Sequence, residues 1–420
     1  MGRSASGKSQ LLKALGPGIM YAGAAIGVSH LVQSTRAGAT YGFALVPIVI
    51  LVHVLKYPFF EFAHRYTVAT GESLLVGYRS VGRWVLVGFL LTAFGLSIPT
   101  AAVLTIVTAG MAAQMFAVNL TSMTWAVIVL VVCAVALVSG GYALLDKLMK
   151  VLMVVLAACT LLALMAAIGH GRAAPVEVEV PEVWNIAGIT FLVALMGWMP
   201  TPMDASAWPS LWMLERIKQT RYRPTLREAL IDFNLGYAGT LMMALMFLGL
   251  GALVMFGMGT PLADKSAPFA AQFITMYTNA LGTWSRPVIT AVAFIAMLST
   301  LLTVLDASPR VLSSGCRLLW PRARKIGKAS YWLTQLAMIG GALLIFQYLT
   351  TQMRTLVDFV TTLAFLSAPF FAYLNLRVVC SGTFPREMAP PKWLLVLSWA
   401  GLVFLTCFSL LFLIVRFGYT

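Results

Sequence analysis

The sequence predicts an all-α polytopic membrane protein: two five-helix repeats of opposite orientation and an eleventh helix, with spans one and six broken. Three observations predict it. Of 420 residues, 60% are apolar and only 10% charged, where a soluble domain carries about a quarter charged residues. Apolar stretches of roughly 20 residues, enough to cross a bilayer, recur eleven times. Two of them, five spans apart, are interrupted: Ala24-Ala25-Ile26-Gly27-Val28-Ser29-His30 and Gly197-Trp198-Met199-Pro200-Thr201-Pro202-Met203-Asp204. Hydrocarbon offers no partner to a freed backbone group, so a helix breaks there only where it lines a cavity or holds something. Five is odd, so the second set of spans enters the membrane reversed, the arrangement of an inverted repeat with a transport site at the midplane.

Residues 1–13 begin basic and polar without a signal-peptide cleavage pattern, and are expected to form a cytoplasmic tail. Spans at 14–36, 41–60, 84–116, 123–140 and 147–169 make repeat one (14–169). Those at 185–213, 231–258, 284–309, 330–350 and 356–377 make repeat two (185–379), and 393–416 is an additional helix. No connection is long enough for a soluble domain, so 1–420 is a single transmembrane unit. Pro47, Pro58 and Pro99 fall inside or at the ends of spans, where kinks are tolerated.

Most of the 29 Lys and Arg fall in the tail and alternate connections: Lys56 to Arg83, Lys147 and Lys150, Arg216 to Arg227, Arg310 to Lys328, and Arg377 to Lys392. This bias predicts a cytoplasmic N-terminus and an outer C-terminus in a prokaryotic-type inner membrane. The connection with Glu177, Glu179 and Glu182 fits the outside. The net charge of +15 is thereby a topology signal and lipid contact, not a nucleic-acid surface. The five Cys are single, without metal spacing, and no nucleotide, triad or metalloprotease motif marks an enzyme. The expected partners are a small inorganic ion and the bilayer, in a monomer without a cofactor.

Gly16-Pro17-Gly18, Ala37-Gly38-Ala39, Tyr41-Gly42-Phe43, Ala69-Thr70-Gly71-Glu72 and Met199-Pro200 together resemble the natural resistance-associated macrophage protein (NRAMP) family of divalent-metal transporters. The resemblance implies a LeuT-type fold and proton-linked movement of manganese or iron(II). It also implies where the metal site should be. The family's Asp-Pro-Gly-Asn, whose Asp and Asn bind metal, aligns with Gly27, Val28, Ser29 and His30, so the carboxylate is gone. Its Met-Pro-His is Met199-Pro200-Thr201, which keeps the thioether and loses the proton-linked His. The family's carbonyl ligand falls on Met196. Span three has no acidic residue between Trp84 and Met115. The chain reads as a divergent branch of the family.

Loss of a midplane carboxylate makes the local potential more positive. Half-helix N-termini at the breaks, each worth about half a positive charge, suit an anion. Gly27 lets backbone approach a ligand; Ser29, His30 and Thr201 offer hydrogen bonds. The expected substrate site is Gly27, Ser29, His30, Met199, Thr201 and Asp204, around a small inorganic anion, with bicarbonate preferred because it is planar, compact and accepts several hydrogen bonds. Thr201-Pro202-Met203-Asp204 also has the form of a capping box, leaving Asp204 as a cap or a ligand. Arg36 is either an attractor of anions or a cap.

Entry of an anion against an inside-negative potential costs roughly 2.3 kcal/mol per charge per 100 mV, so a sodium ion or proton is expected to accompany it. Ser299, Thr300, Thr303 and Asp306 share one face of span eight and are the coupling-ion candidates, with Asp306 alternatively paired to Arg310. Two other functions stand beside this one. The first is a divalent-metal carrier (manganese, iron or magnesium) using His30, Met199 and Asp204; the second is a non-transporting receptor or scaffold.

Overall fold

The structure is a computed structural model that describes residues 10–171, 179–257, 263–320, 328–349 and 353–417. The expected tail before Gln10, Glu177 of the acidic connection, and much of the basic stretch before Lys328 lie outside them. Among the described residues all regular structure is helical. The first span is α1 (Pro17–Ala25), a π-helical turn (Ser29–Ser34) and α2 (Thr35–Tyr41); then come α3 (Val46–Thr70), α4 (Leu74–Val81), α5 (Arg83–Phe116) and α6 (Ser122–His170). The sixth span is α7 (Ile186–Gly197), a short 3-10 turn (Met203–Ala207) and α8 (Trp208–Thr220). It is followed by α9 (Leu226–Val254), α10 (Ser266–Leu281), α11 (Arg286–Leu319), α12 (Lys328–Leu349), α13 (Met353–Val379) and α14 (Lys392–Phe417).

Among the described residues nine segments are long and apolar enough to cross a membrane, and the two interrupted spans bring the crossings to eleven. The chain is an integral membrane protein with two inverted five-helix repeats. α4 and α10 are short helices at corresponding places, after the second span of each repeat.

Two points concern the limits of the spans. First, the spans expected at 123–140 and 147–169 are found as Ser122–Ser139 and Asp146–Gly169, joined in one helical run, α6. A straight helix of that length would reach about 73 Å at 1.5 Å per residue, over twice the hydrocarbon thickness. Its parts Ser122–Ser139 and Asp146–Gly169 are each of spanning length. Asp146 bonds Arg216 near Gly16, before the first span, whereas Leu164 lies beside Gly249 near Phe43, after it. The helical hydrogen bonding therefore carries through the connection between two crossings. Second, α3 continues to Thr70, so Lys56, Glu61 and Arg65 lie within a helix and are buried, not in a cytoplasmic connection. Gly71, at φ 71°, ends α3 in the left-handed conformation that glycine adopts without steric cost.

The repeats lock together where small residues let backbones touch. A Cβ on Gly18 would lie 2.1 Å from the Asp232 carbonyl oxygen, and one on Gly38 would lie 1.9 Å from that of Leu248; both sites join the first span to α9. Asp232 reinforces the first contact by accepting from the N–H groups of Gly16 (2.9 Å) and Gly18 (2.6 Å), capping the positive end of α1. α14, the helix outside the repeats, docks on α3 with Gly401 against Leu55. Arg65 of α3 donates to the carbonyls of Met388 and Ala389 just before it.

Candidate functional site

The first break is short. Ile26 N–H still bonds Ala22, but Gly27 N–H turns back to Ala25 at 2.9 Å, and the chain resumes as a π-helical turn at Ser29. Gly23 and Ile26 are left with carbonyl oxygens facing α11. The Thr300 hydroxyl meets both, at 3.0 and 3.2 Å, together with Ala296 of its own helix at 3.1 Å. One hydroxyl has one proton for three carbonyls. The carbonyls of Gly23 and Ile26 therefore share that one proton with the carbonyl of Ala296, which also accepts from Ser299.

Gly27, where the resemblance led to the expectation of a missing carboxylate, has a specific neighbour. A Cβ there would lie 2.6 Å from Cγ2 of Thr300. The space for an acidic side chain is filled by α11.

The second break is longer. α7 ends at Gly197, whose Cβ would lie 1.9 Å from the Thr361 carbonyl of α13, and helical structure resumes only at Met203. The turn starts after Pro202 with no side-chain cap. The capping box expected of Thr201-Pro202-Met203-Asp204 is thus corrected: Pro202 holds the cap position that Thr201 was expected to hold, and a proline side chain has no acceptor.

A small cavity of about 20 Å³ lies between the breaks. Its polar lining is Ser29, Thr100, Trp198, Thr201 and Thr300; Ala24, Leu104, Trp208 and Val304 contribute apolar walls. The indole N–H of Trp198 is buried without a partner. No carboxylate lines the cavity.

Two of the six residues expected at the substrate, Ser29 and Thr201, line this cavity; Gly27, His30, Met199 and Asp204 stand behind it. His30 is turned toward α9, where Nε2–H donates to the Thr240 carbonyl at 3.0 Å, while Nδ1 lies 2.7 Å from the Ser29 hydroxyl. That hydroxyl is also 2.7 Å from the Ala25 carbonyl. Met199 is fully buried. Asp204 is 6% exposed, and its Oδ1 has no hydrogen-bond partner.

The coupling-ion candidates divide in the same way. Thr300 faces the break. Ser299 bonds Ala296, and Thr303 bonds Ser299 and the Met149 sulfur. Asp306 is saturated by Arg310 (2.6 and 3.1 Å), Tyr331 (3.1 Å) and Trp212 (3.3 Å), the pairing weighed against an ionic role. Arg36 neither caps the helix nor stands free. It holds Asp358 of α13 through two bonds of 2.6 and 3.1 Å and also bonds Gln33.

The cavity residues Thr100, Trp198 and Trp208 escaped the sequence reading because hydroxyls and indoles are common in spans and carry no motif. Lys56 escaped for another reason: it was counted with a connection, although an ionisable residue inside an apolar run marks function by default. It is 0% exposed, and Nζ donates to the carbonyls of Met196 at 2.6 Å and Gly197 at 3.3 Å.

Two interrupted spans related by inverted repeats, facing each other across a small cavity, define a membrane transporter with the LeuT-type fold. The chain belongs to the natural resistance-associated macrophage protein-like family, whose model matches residues 18–415. It is 38% identical over 414 residues to an uncharacterised protein of Pasteurella multocida, covering 97% of this chain and 93% of that one. Among solved structures it is similar to the manganese transporter of Eremococcus coleocola, with TM-score 0.74, 15% identity, and 100% of this chain and 90% of that one covered. It is also similar to MhsT in complex with L-phenylalanine, with TM-score 0.58, 14% identity, and 95% and 98% covered.

Proposed function

We propose that this transporter moves a small inorganic anion, bicarbonate before others, together with a sodium ion or proton. The observation that carries the proposal is the cavity lining, which includes Thr100, Thr201 and Trp198 and no carboxylate; the Trp198 indole N–H is buried without a partner. An indole N–H only donates, so it suits a ligand rich in acceptors. A planar anion with three oxygens accepts from several such donors. Thr300 and the carbonyls of Gly23, Ile26 and Ala296 are the proposed place of the accompanying cation.

The metal-carrier alternative asks for several oxygen ligands, commonly a carboxylate among them. Among the described residues no group of three or more His, Cys, Asp and Glu could hold a metal ion. Met199 remains, but His30 is engaged with Thr240 and Gly27 has no space for an acid. The unwound breaks weigh against a scaffold, which gains nothing from them.

Proteoliposomes test this. Uptake of labelled bicarbonate steepened by an inward sodium or proton gradient, with internal alkalinisation where sodium is the partner and none where a proton is, together with no quenching of a trapped metal dye by Mn(II), is the expected result. Mn(II) uptake abolished by Asp204→Asn would overturn it in favour of the metal carrier.

A further inference from the structure

Lys56 is a buried charge for which the fold supplies no opposite charge. The other buried cation of α3, Arg65, is paired with Glu61 at 2.6 Å. Arg36 has Asp358 and Arg310 has Asp306. Lys56 takes part in no ion pair among the described residues; its partners are two neutral carbonyls. A lysine ammonium kept from water and met only by neutral groups is costly, and the cost falls when an anion approaches.

The carbonyls it holds make the position informative. Those of Met196 and Gly197 are the last of α7, the negative end of a helix that carries about half a charge. The helix end offsets part of the ammonium and leaves a positive remainder at the break. The next residue along the chain, Trp198, lines the cavity and has a buried, unpartnered indole N–H, and Thr201, also at the cavity, follows three residues later. The positive remainder and the free donors therefore lie on one short unwound segment. A divalent cation meets the reverse situation, because the carbonyl oxygen it could use at this break is already covered by an ammonium.

We infer that Lys56 is the residue that sets the sign of the substrate: a tethered cation, built into span two, that gives the cavity its affinity for a monovalent anion and denies the break in span six to divalent metals. This rests on the anion proposal and deepens it. Lys56 acts through the field it casts on the cavity, and is a specificity-determining residue that need not touch the ligand.

Lys56→Gln is the first test, because an amide can still donate to the Met196 and Gly197 carbonyls without a charge. In proteoliposomes the expected result is a bicarbonate KM raised tenfold or more, with a much smaller change in kcat. Purified K56Q should also gain Cd(II) binding by calorimetry that the wild type lacks, and Lys56→Arg should return KM toward the wild-type value. A wild-type KM in K56Q, with no gain of Cd(II) binding, would show that Lys56 is only a cap on α7 and overturn the assignment. Should K56Q not fold, thermal shifts of the wild-type protein decide: bicarbonate, formate and nitrate raising the melting temperature while MnCl2 does not supports the assignment, and the reverse order overturns it. Wild-type protein that moves no bicarbonate yet is stabilised by monovalent anions, an effect lost in K56Q, overturns bicarbonate as the substrate and keeps Lys56.

Discussion

The two breaks solve the same problem with opposite groups. The break in span one is short and almost sealed: its loose carbonyls, Gly23 and Ile26, are collected by the Thr300 hydroxyl, and its histidine is tied to Thr240. The break in span six runs from Gly197 to Met203, leaves the Trp198 N–H buried without a partner, and brings Trp198 and Thr201 to the cavity. Its surplus carbonyls face Lys56 instead. The difference teaches that a broken helix has no fixed ionic preference. Each break exposes both poles of the peptide dipole, and the side chains that answer one pole leave the other for a ligand. In span one the carbonyl pole faces outward to α11 and suits a cation; in span six the donor pole faces the cavity and suits an anion.

Restoring the family's acid at the first break should produce the largest effect. Gly27→Asp forces a Cβ to 2.6 Å from Thr300, and overpacking of this kind costs about 1–3 kcal/mol. Bicarbonate uptake should fall about tenfold or more, with a lowered melting temperature and no Mn(II) uptake in compensation. Mn(II) uptake by this single variant would break the distinction between the breaks.

A smaller loss should follow from Thr300→Val, which keeps the shape and removes the hydroxyl. The carbonyls of Gly23 and Ile26 then lose their partner at about 1–3 kcal/mol. Dependence of uptake on the cation gradient should weaken while the bicarbonate KM hardly moves. Equal effects on both would merge the two half-sites into one.

On the other break, Thr201→Val should raise the bicarbonate KM about five- to tenfold, the worth of one hydrogen bond of roughly 1 kcal/mol. Trp198→Phe should raise it less, about threefold on the same basis, because a phenyl ring still fills much of the space of the indole. Wild-type values in both would remove them from the site. His30→Asn should do least. It lies behind the cavity, so KM should stay at the wild-type value while the melting temperature drops slightly, by the loss of about one hydrogen bond; a raised KM would return His30 to the substrate.

How much of this was legible depended on range. The breaks themselves were visible as Gly27-Val28-Ser29 and Pro200-Thr201-Pro202, since local backbone chemistry decides where a helix can continue. The polar face of span eight was visible from spacing, but which of its members mattered was not. Asp306 and Thr300 are less than two turns apart; one is buried in partners and the other faces the break only because of what packs opposite. Lys56 was misassigned with a connection because apolar patterning marks the limits of a span poorly, and α3 runs on to Thr70. Asp232, which caps α1 from over 200 positions away, has no local signal at all.

The sequence by itself determined the membrane class, the crossings and the two interruptions, because each follows from hydropathy or backbone preference. Only the tertiary structure decided that Thr300 fills the space where the acid would stand, that His30 turns away from the cavity, and that Lys56 lies on the carbonyls at the end of α7. Those are contacts between residues far apart in the chain. Their energies depend on what each group is buried against, which no local pattern of residues records.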